Sequence, residues 1–127
     1  MARRKKKRVF ISFDYDNDRA LKSFIRGQAR HPDTPFEITD WSMKEAAPQR
    51  SWKRKAKERI KRSDIVIVVA GRKTRNAPGV QEEVKIAREE GIPVVQIIGY
   101  KNKRCPQVPN AGRRYRWTRE NLKKLLR

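Results

Sequence analysis

Apolar residues in this chain fall in short, separated runs, and the spacing inside each run tells strand from helix. Val9-Phe10-Ile11, continued by Ser12 and Phe13, is a β-branched and aromatic stretch that predicts a first strand over Arg8–Phe13. Asp14-Tyr15-Asp16-Asn17-Asp18 follows, rich in turn and N-cap residues. Ala20, Leu21, Phe24, Ile25 and Ala29 then recur on one face of a helix, which His31-Pro32-Asp33-Thr34-Pro35 ends. Phe36 to Trp41 alternates apolar and polar side chains, as a strand near a sheet edge does, and residues 42–49 read as loop. From Ser51 to Arg62 the apolar positions are Trp52, Ala56 and Ile60, which predicts a helix with a narrow buried stripe and a basic outer face.

Ile65 to Ala70 is continuously apolar, the pattern of a central strand buried on both faces. Residues 71–79 form a polar loop in which Pro78 is placed to open a helix. That helix runs to about Glu90, with Gly91 as the cap beyond its end. Pro93–Ile98 is another buried strand, residues 99–116 a long basic loop, and Thr118 caps a last short helix ending in Leu122, Leu125 and Leu126. Strands alternating with helices predict an α/β, three-layer fold with a central, mainly parallel β-sheet. In such sheets ligands sit beyond the C-terminal strand ends. Residues 13–18, 40–45 and 71–83 are therefore the candidate site segments.

Composition sharpens this outline at a few points. The chain has 127 residues, enough for one domain, which we place at 9–127 behind a basic arm at 1–8. Lys and Arg number 34 against 14 acids, a formal charge of +20, with a sequence pI of about 11.0 and a mean hydropathy of −0.98. The basic excess is spread along both halves, so it belongs to the domain and not only to the arm. It suggests a polyanionic partner, whether nucleic acid, nucleotide or acidic membrane surface. No apolar run approaches the ~18–20 residues of a membrane span, and the basic N-terminus lacks the apolar stretch of a signal peptide, so no membrane partner is expected. The single cysteine, Cys105, allows no internal disulfide and fits a reducing, cytoplasmic setting.

Several chemistries fail on spacing. Asp14, Asp16 and Asp18 begin like a calcium loop, but Arg19 stands where that loop needs Gly and Ile25 where it needs Glu. A phosphoacceptor receiver needs an aspartate ending the third strand, which here ends Val69-Ala70-Gly71. Phe13-Asp14-Tyr15-Asp16 has none of the small residues of a phosphate-cradling turn, and no GxGxxG occurs. One histidine and one cysteine make a metal site improbable. Asp16 and Asp18 read as helix-capping residues, His31 as ordinary surface, and Cys105 as non-catalytic.

Glu83 breaks the pattern of its helix. At ~100° per residue, Val80, Val84 and Ala87 form the buried stripe, and Glu83 falls within it while Glu82, Lys85 and Glu89 point away. A carboxylate among core residues costs several kcal/mol unless it is paired or lines a cavity. It is either a buried ion pair with an arginine or a ligand-facing carboxylate near the strand-end crevice. In the second role it suits cleavage of an N-glycosidic bond, whose sugar becomes oxocarbenium-like and is stabilised by a neighbouring carboxylate. Phe13 and Trp41, at neighbouring strand ends, are each either core residues or stacking partners for a base.

Val9 to Asp18, Asp64-Ile65-Val66-Ile67-Val68-Val69, and Gly79-Val80-Gln81-Glu82-Glu83-Val84-Lys85-Ile86-Ala87 together resemble the TIR-like family of the Thoeris antiphage system, of the ThsB type. The resemblance runs over about residues 8–126. It implies a flavodoxin-like TIR fold with NAD as substrate and no separate cofactor, Glu83 as the catalytic carboxylate, and Phe13, Asp14 and Asn76 lining the nucleotide pocket. It also implies a cyclic ADP-ribose-type product that activates a downstream effector protein, with activity that can depend on homo-oligomer assembly or a trigger. Where related domains carry tryptophan near the start of the glutamate helix, this chain has Pro78-Gly79. Two rivals stand beside this reading. One is a nucleoside or nucleotide N-glycosidase or deoxyribosyltransferase using the same carboxylate. The other is a non-catalytic module for protein or nucleic acid, the latter using helix 51–62 and loop 101–116, where Tyr115 and Trp117 interleave with Arg113, Arg114 and Arg116.

Overall fold

The computed structural model describes residues 7–14, 36–41, 49–98, 105–116, 118, 120, 121 and 124, with backbone alone at 7, 36–41 and 49–52. Its strands are β1 (Lys7–Ser12), β2 (Phe36–Trp41), β3 (Ile65–Ala70), β4 (Val94–Ile98) and β5 (Arg114–Arg116). Between them lie helix α1 (Gln49–Lys61), a 3-10 turn (Thr74–Asn76) and helix α2 (Pro78–Glu89). The five strands form one sheet in the order β2-β1-β3-β4-β5, with every pairing parallel. The architecture is α/β and flavodoxin-like, and the strand order reverses between β1 and β3.

Each strand sits where its side chains allow. β3 is buried along its whole length, and its Ile/Val run fills the sheet centre from both faces. β2, which alternates in sequence, occupies the edge beside β1. Phe10, Val66, Val68 and Ala70 share one face of the sheet with Ala56 and Ile60 of α1 and with Val80, Val84, Ile86 and Ala87 of α2. α2 packs over β1, β3 and β4 and against α1. At the seam, Lys53 reaches Glu82 at 3.8 Å and Lys57 reaches Glu90 at 3.3 Å, both part-exposed pairs that add little stability.

Pro78 takes the first position of α2, where its missing N–H costs nothing. At the other end Gly91, at φ +70°, closes a Schellman cap: its N–H donates to the carbonyl of Arg88, and that of Ile92 to Ala87. Thr118 Oγ1 accepts from the N–H of Asn121, the cap expected for the last helix.

Three boundaries differ from the sequence reading. β1 starts at Lys7, so two residues assigned to the basic arm join the sheet; the Arg8 N–H donates to Asp64 Oδ2 at 2.8 Å, and Asp64 returns a bond to the Arg8 carbonyl. α1 starts at Gln49, the last residue of the expected loop. The stretch 99–116, read as loop throughout, ends in β5. Arg-Tyr-Arg carries too weak a strand signal alone, and it pairs because β4 offers Gln96, Ile97 and Ile98 as partners. The helix expected after β1, with Asp16, Asp18 and His31, lies outside the described residues.

Within the former loop, Gln96 is the organising side chain. It is 1% exposed; its Nε2 donates to the carbonyls of Val108 and Gly112, and its Oε1 accepts from the Val108 N–H. Segment 105–113 is thereby fastened across the sheet, with Cys105, Val108 and Ala111 joining the core. Cys105 is buried, not displayed on a basic loop. The carbonyl of Asn110 accepts from Arg88 Nε, tying the same segment to α2.

Candidate functional site

The point where strand order reverses is also where the polar core residues of β1 and α2 meet. Along β1, side chains alternate faces, so Ser12 shares Phe10's side, toward α1 and α2. On α2, Glu83 sits in the stripe of Val80, Val84 and Ala87 that faces the sheet. The two periodicities bring Ser12 and Glu83 together: the Ser12 hydroxyl donates to Glu83 Oε1 at 2.7 Å, and both residues are 0% exposed. A hydroxyl donated to a carboxylate is among the stronger hydrogen bonds and offsets part of the cost of burying the charge. It also holds the carboxylate plane in one orientation.

Phe13 and Asp14 follow Ser12 directly off the C-terminal end of β1, 2% and 8% exposed. Trp41 ends β2 and pairs with Ile11, so its backbone stands at the neighbouring strand end; its side chain lies outside the described residues. The loop after β3 is fixed by its own bonds. The Gly71 N–H donates to Thr74 Oγ1 at 2.7 Å, and the Ala77 N–H to the Thr74 carbonyl. Asn76 closes that 3-10 turn with an exposed side chain, two residues ahead of α2. The fold thus gathers Phe13, Asp14 and Glu83 at one strand end, with Trp41 on the adjacent strand and Asn76 on the adjoining loop.

Ser12 was not singled out by the sequence reading, although a signal was there. It is the one hydroxyl inside the apolar run of β1, on the side of the strand that faces the helices. Gln96, polar within an apolar strand, carried the same kind of signal. A separate cleft lined by Arg88, Gly91, Ile92, Pro93 and Val94 opens at the opposite, N-terminal edge of the sheet, away from the strand ends that carry Ser12 and Phe13. Among the described residues no helix is long and apolar enough to cross a membrane.

The arrangement offers a buried, oriented carboxylate at the switch point of an open parallel sheet, where such folds hold their ligands. It can stabilise a positive charge developing nearby in a water-poor environment, or attack it. A solved structure of similar fold is the CMP N-glycosidase BcmB of Clostridium botulinum, 17% identical, covering 94% of this chain and 98% of that one with a TM-score of 0.55. A 3-dehydroquinate dehydratase-like protein from Bifidobacterium longum is 12% identical over 95% and 91% of the two chains, with a TM-score of 0.48. No curated protein matches the chain. The model of the Thoeris protein ThsB, TIR-like domain, matches residues 10–104, a span that includes β1 with Ser12 and α2 with Glu83, and the chain belongs to that family.

Proposed function

We propose that this protein cleaves the bond between nicotinamide and ribose in NAD and joins the freed ribose carbon to a nucleophile of the same molecule, giving a cyclic ADP-ribose-type signal. The observation that carries this reading is the Glu83 carboxylate, wholly buried beside the C-terminal end of β1 and held by Ser12. As the glycosidic bond breaks, its electron pair leaves with nicotinamide, which becomes neutral, and positive charge moves to the ribose C1′ and ring oxygen. A fixed carboxylate beside that carbon stabilises the cation, or captures it covalently until the second nucleophile arrives. Capture by the carboxylate changes no proton count; the second nucleophile displaces it, or meets the cation directly, and sheds its proton to solvent, so the sequence balances without an oxidant or reductant. Phe13 and the Trp41 position at the neighbouring strand end would supply flat surfaces for the rings, and Asp14 and Asn76 polar contacts to the substrate.

Membership of the TIR-like family supports this reading, and on it the protein would work in the cytoplasm, pass its signal to a downstream effector and assemble in several copies for full activity. Nicotinamide release should follow wild-type protein and fall by at least about 1,000-fold in Glu83→Gln, which keeps shape and removes the charge. Equal turnover by the two proteins would overturn the assignment.

A second reading has an observation of its own. The fold is shared with an enzyme that acts on CMP, and the same carboxylate logic applies to hydrolysis of a nucleotide N-glycosidic bond. A substrate panel containing NAD, CMP and cytidine separates the two: cytosine release without nicotinamide release selects the nucleotide N-glycosidase.

A further inference from the structure

We propose that Ser12 is a positioning residue for the Glu83 carboxylate, fixing the orientation it presents to the sugar carbon. This rests on the reading of Glu83 as the reacting carboxylate.

The argument begins with what a glutamate on a helix can do. Its side chain has three rotatable bonds, and a terminal carboxylate that turns broadly about the last of them. Stabilising a cation at one carbon requires that carboxylate in a single place. Packing by Val80, Val84 and Ala87 on the same stripe restrains the methylene stem, but it does not orient the two oxygens. A directional donor does, and Ser12 supplies one at 2.7 Å from Oε1. The donor is itself immobile: Ser12 ends β1, is 0% exposed, and lies in register with Val68 of the central strand. The strand fixes the hydroxyl, and the hydroxyl fixes the carboxylate.

The residue type fits the task. Ser12 lies between Ile11 and Phe13 in a stretch whose other members are apolar, so burial alone would favour a small apolar side chain there. A hydroxyl in such a place must have its hydrogen bond made, and the partner it meets is the acid of α2. Ser12 does not enter the bond-breaking step and forms no bond to substrate.

The test is a kinetic cycle on full-length protein. Ser12→Ala should lower kcat for nicotinamide release by about 10- to 100-fold, the range of a hydrogen bond to a charged group, with KM changed less than about threefold. Ser12→Thr keeps a hydroxyl and should restore most of the rate. In a Glu83→Gln background, Ser12→Ala should leave the residual rate within about twofold. An equal loss in both backgrounds, or a loss confined to KM, would overturn the proposal. Infrared difference spectra of wild type minus Glu83→Gln give a readout without substrate: the Glu83 carboxylate band should move in Ser12→Ala and return in Ser12→Thr. A band that stays in place overturns Ser12 alone. A band that moves in a protein that releases no nicotinamide upholds Ser12 and overturns the NAD reading alone. Circular dichroism and melting curves confirm that each variant is folded when measured.

Discussion

Gln96 and Glu83 are both long, polar and buried within the same layered core, yet the fold uses them in opposite ways. Gln96 makes bonds with both ends of its amide, all to the backbone of one segment, and so functions as a clamp. Glu83 is met by a side-chain hydroxyl from another element, at the strand end where parallel sheets bind ligands. A neutral amide satisfied by backbone groups specifies structure at modest cost. A carboxyl group held by a hydroxyl is a polar group that packing alone would not select. Buried polarity therefore marks either an internal fastening or a site, and the partners distinguish the two. Substitutions in the Gln96 region should lower stability and leave turnover per folded molecule intact, whereas substitutions at the Glu83 pair should do the reverse.

Glu83→Gln gives the largest effect and the sharpest form of this contrast. Against the loss of nicotinamide release expected above, the melting temperature should change by only a few degrees, because the amide keeps the volume and avoids burying a charge. A collapse in stability comparable with the loss of activity would place Glu83 with Gln96, as a structural residue.

Next in size is Gly112→Ala, in the segment that Gln96 holds. Gly112 sits at φ +79°, and a Cβ built there would lie 2.2 Å from the Val94 carbonyl oxygen, a contact with rigid backbone that must be relieved by moving β4 or the loop. The expected loss is about 3 kcal/mol or more, on the order of 10 °C in Tm, measured by denaturant and thermal unfolding. Gln96→Leu follows. It keeps the bulk but strands the Val108 N–H and two carbonyls, so about 2–3 kcal/mol should be lost, with kcat per folded molecule unchanged. If kcat fell more than stability could account for, segment 105–113 would have to be counted as part of the site.

Which of these features the sequence revealed follows from how locally each is encoded. The apolar run of β3, the alternation of β2 and the 3.6-residue stripes of α1 and α2 are statements about neighbours in the chain, and they placed those elements to within a few residues. Glu83 was legible for the same reason, because its conflict lies within its own helix. β5 was not legible: three residues with exposed arginines form a strand only because β4 presents an open edge. Ser12 and the Gln96 clamp were not assigned because their meaning depends on partners 71 and 12–16 positions away. The burial of Cys105 goes with that clamp, which carries its segment into the core. The charge of +20 remains a property of the surface that suits a phosphate-bearing ligand without choosing among ligands.

The smallest expected effect tests how local the Glu83 region is. Gly91 also has positive φ, at +70°, but a Cβ built there meets nothing within 4 Å. Gly91→Ala should therefore cost only the conformational penalty of a left-handed residue, about 1 kcal/mol, with no steric part. The comparison with Gly112→Ala isolates the clash, since the two glycines share the sign of φ and differ in what surrounds them. Gly91 caps the helix that carries Glu83, yet they are eight positions apart and the intervening Val84 and Ala87 are packed against the core. Weakening the cap should fray the last turn of α2 and leave Glu83 seated, which predicts a slightly lower Tm and an unchanged kcat. Hydrogen exchange of α2 amides would show the fraying directly, confined to the residues after Ile86. If exchange rose as far back as Glu83 and kcat fell with it, the carboxylate would be held by the whole helix and not by the Ser12 contact and its local packing.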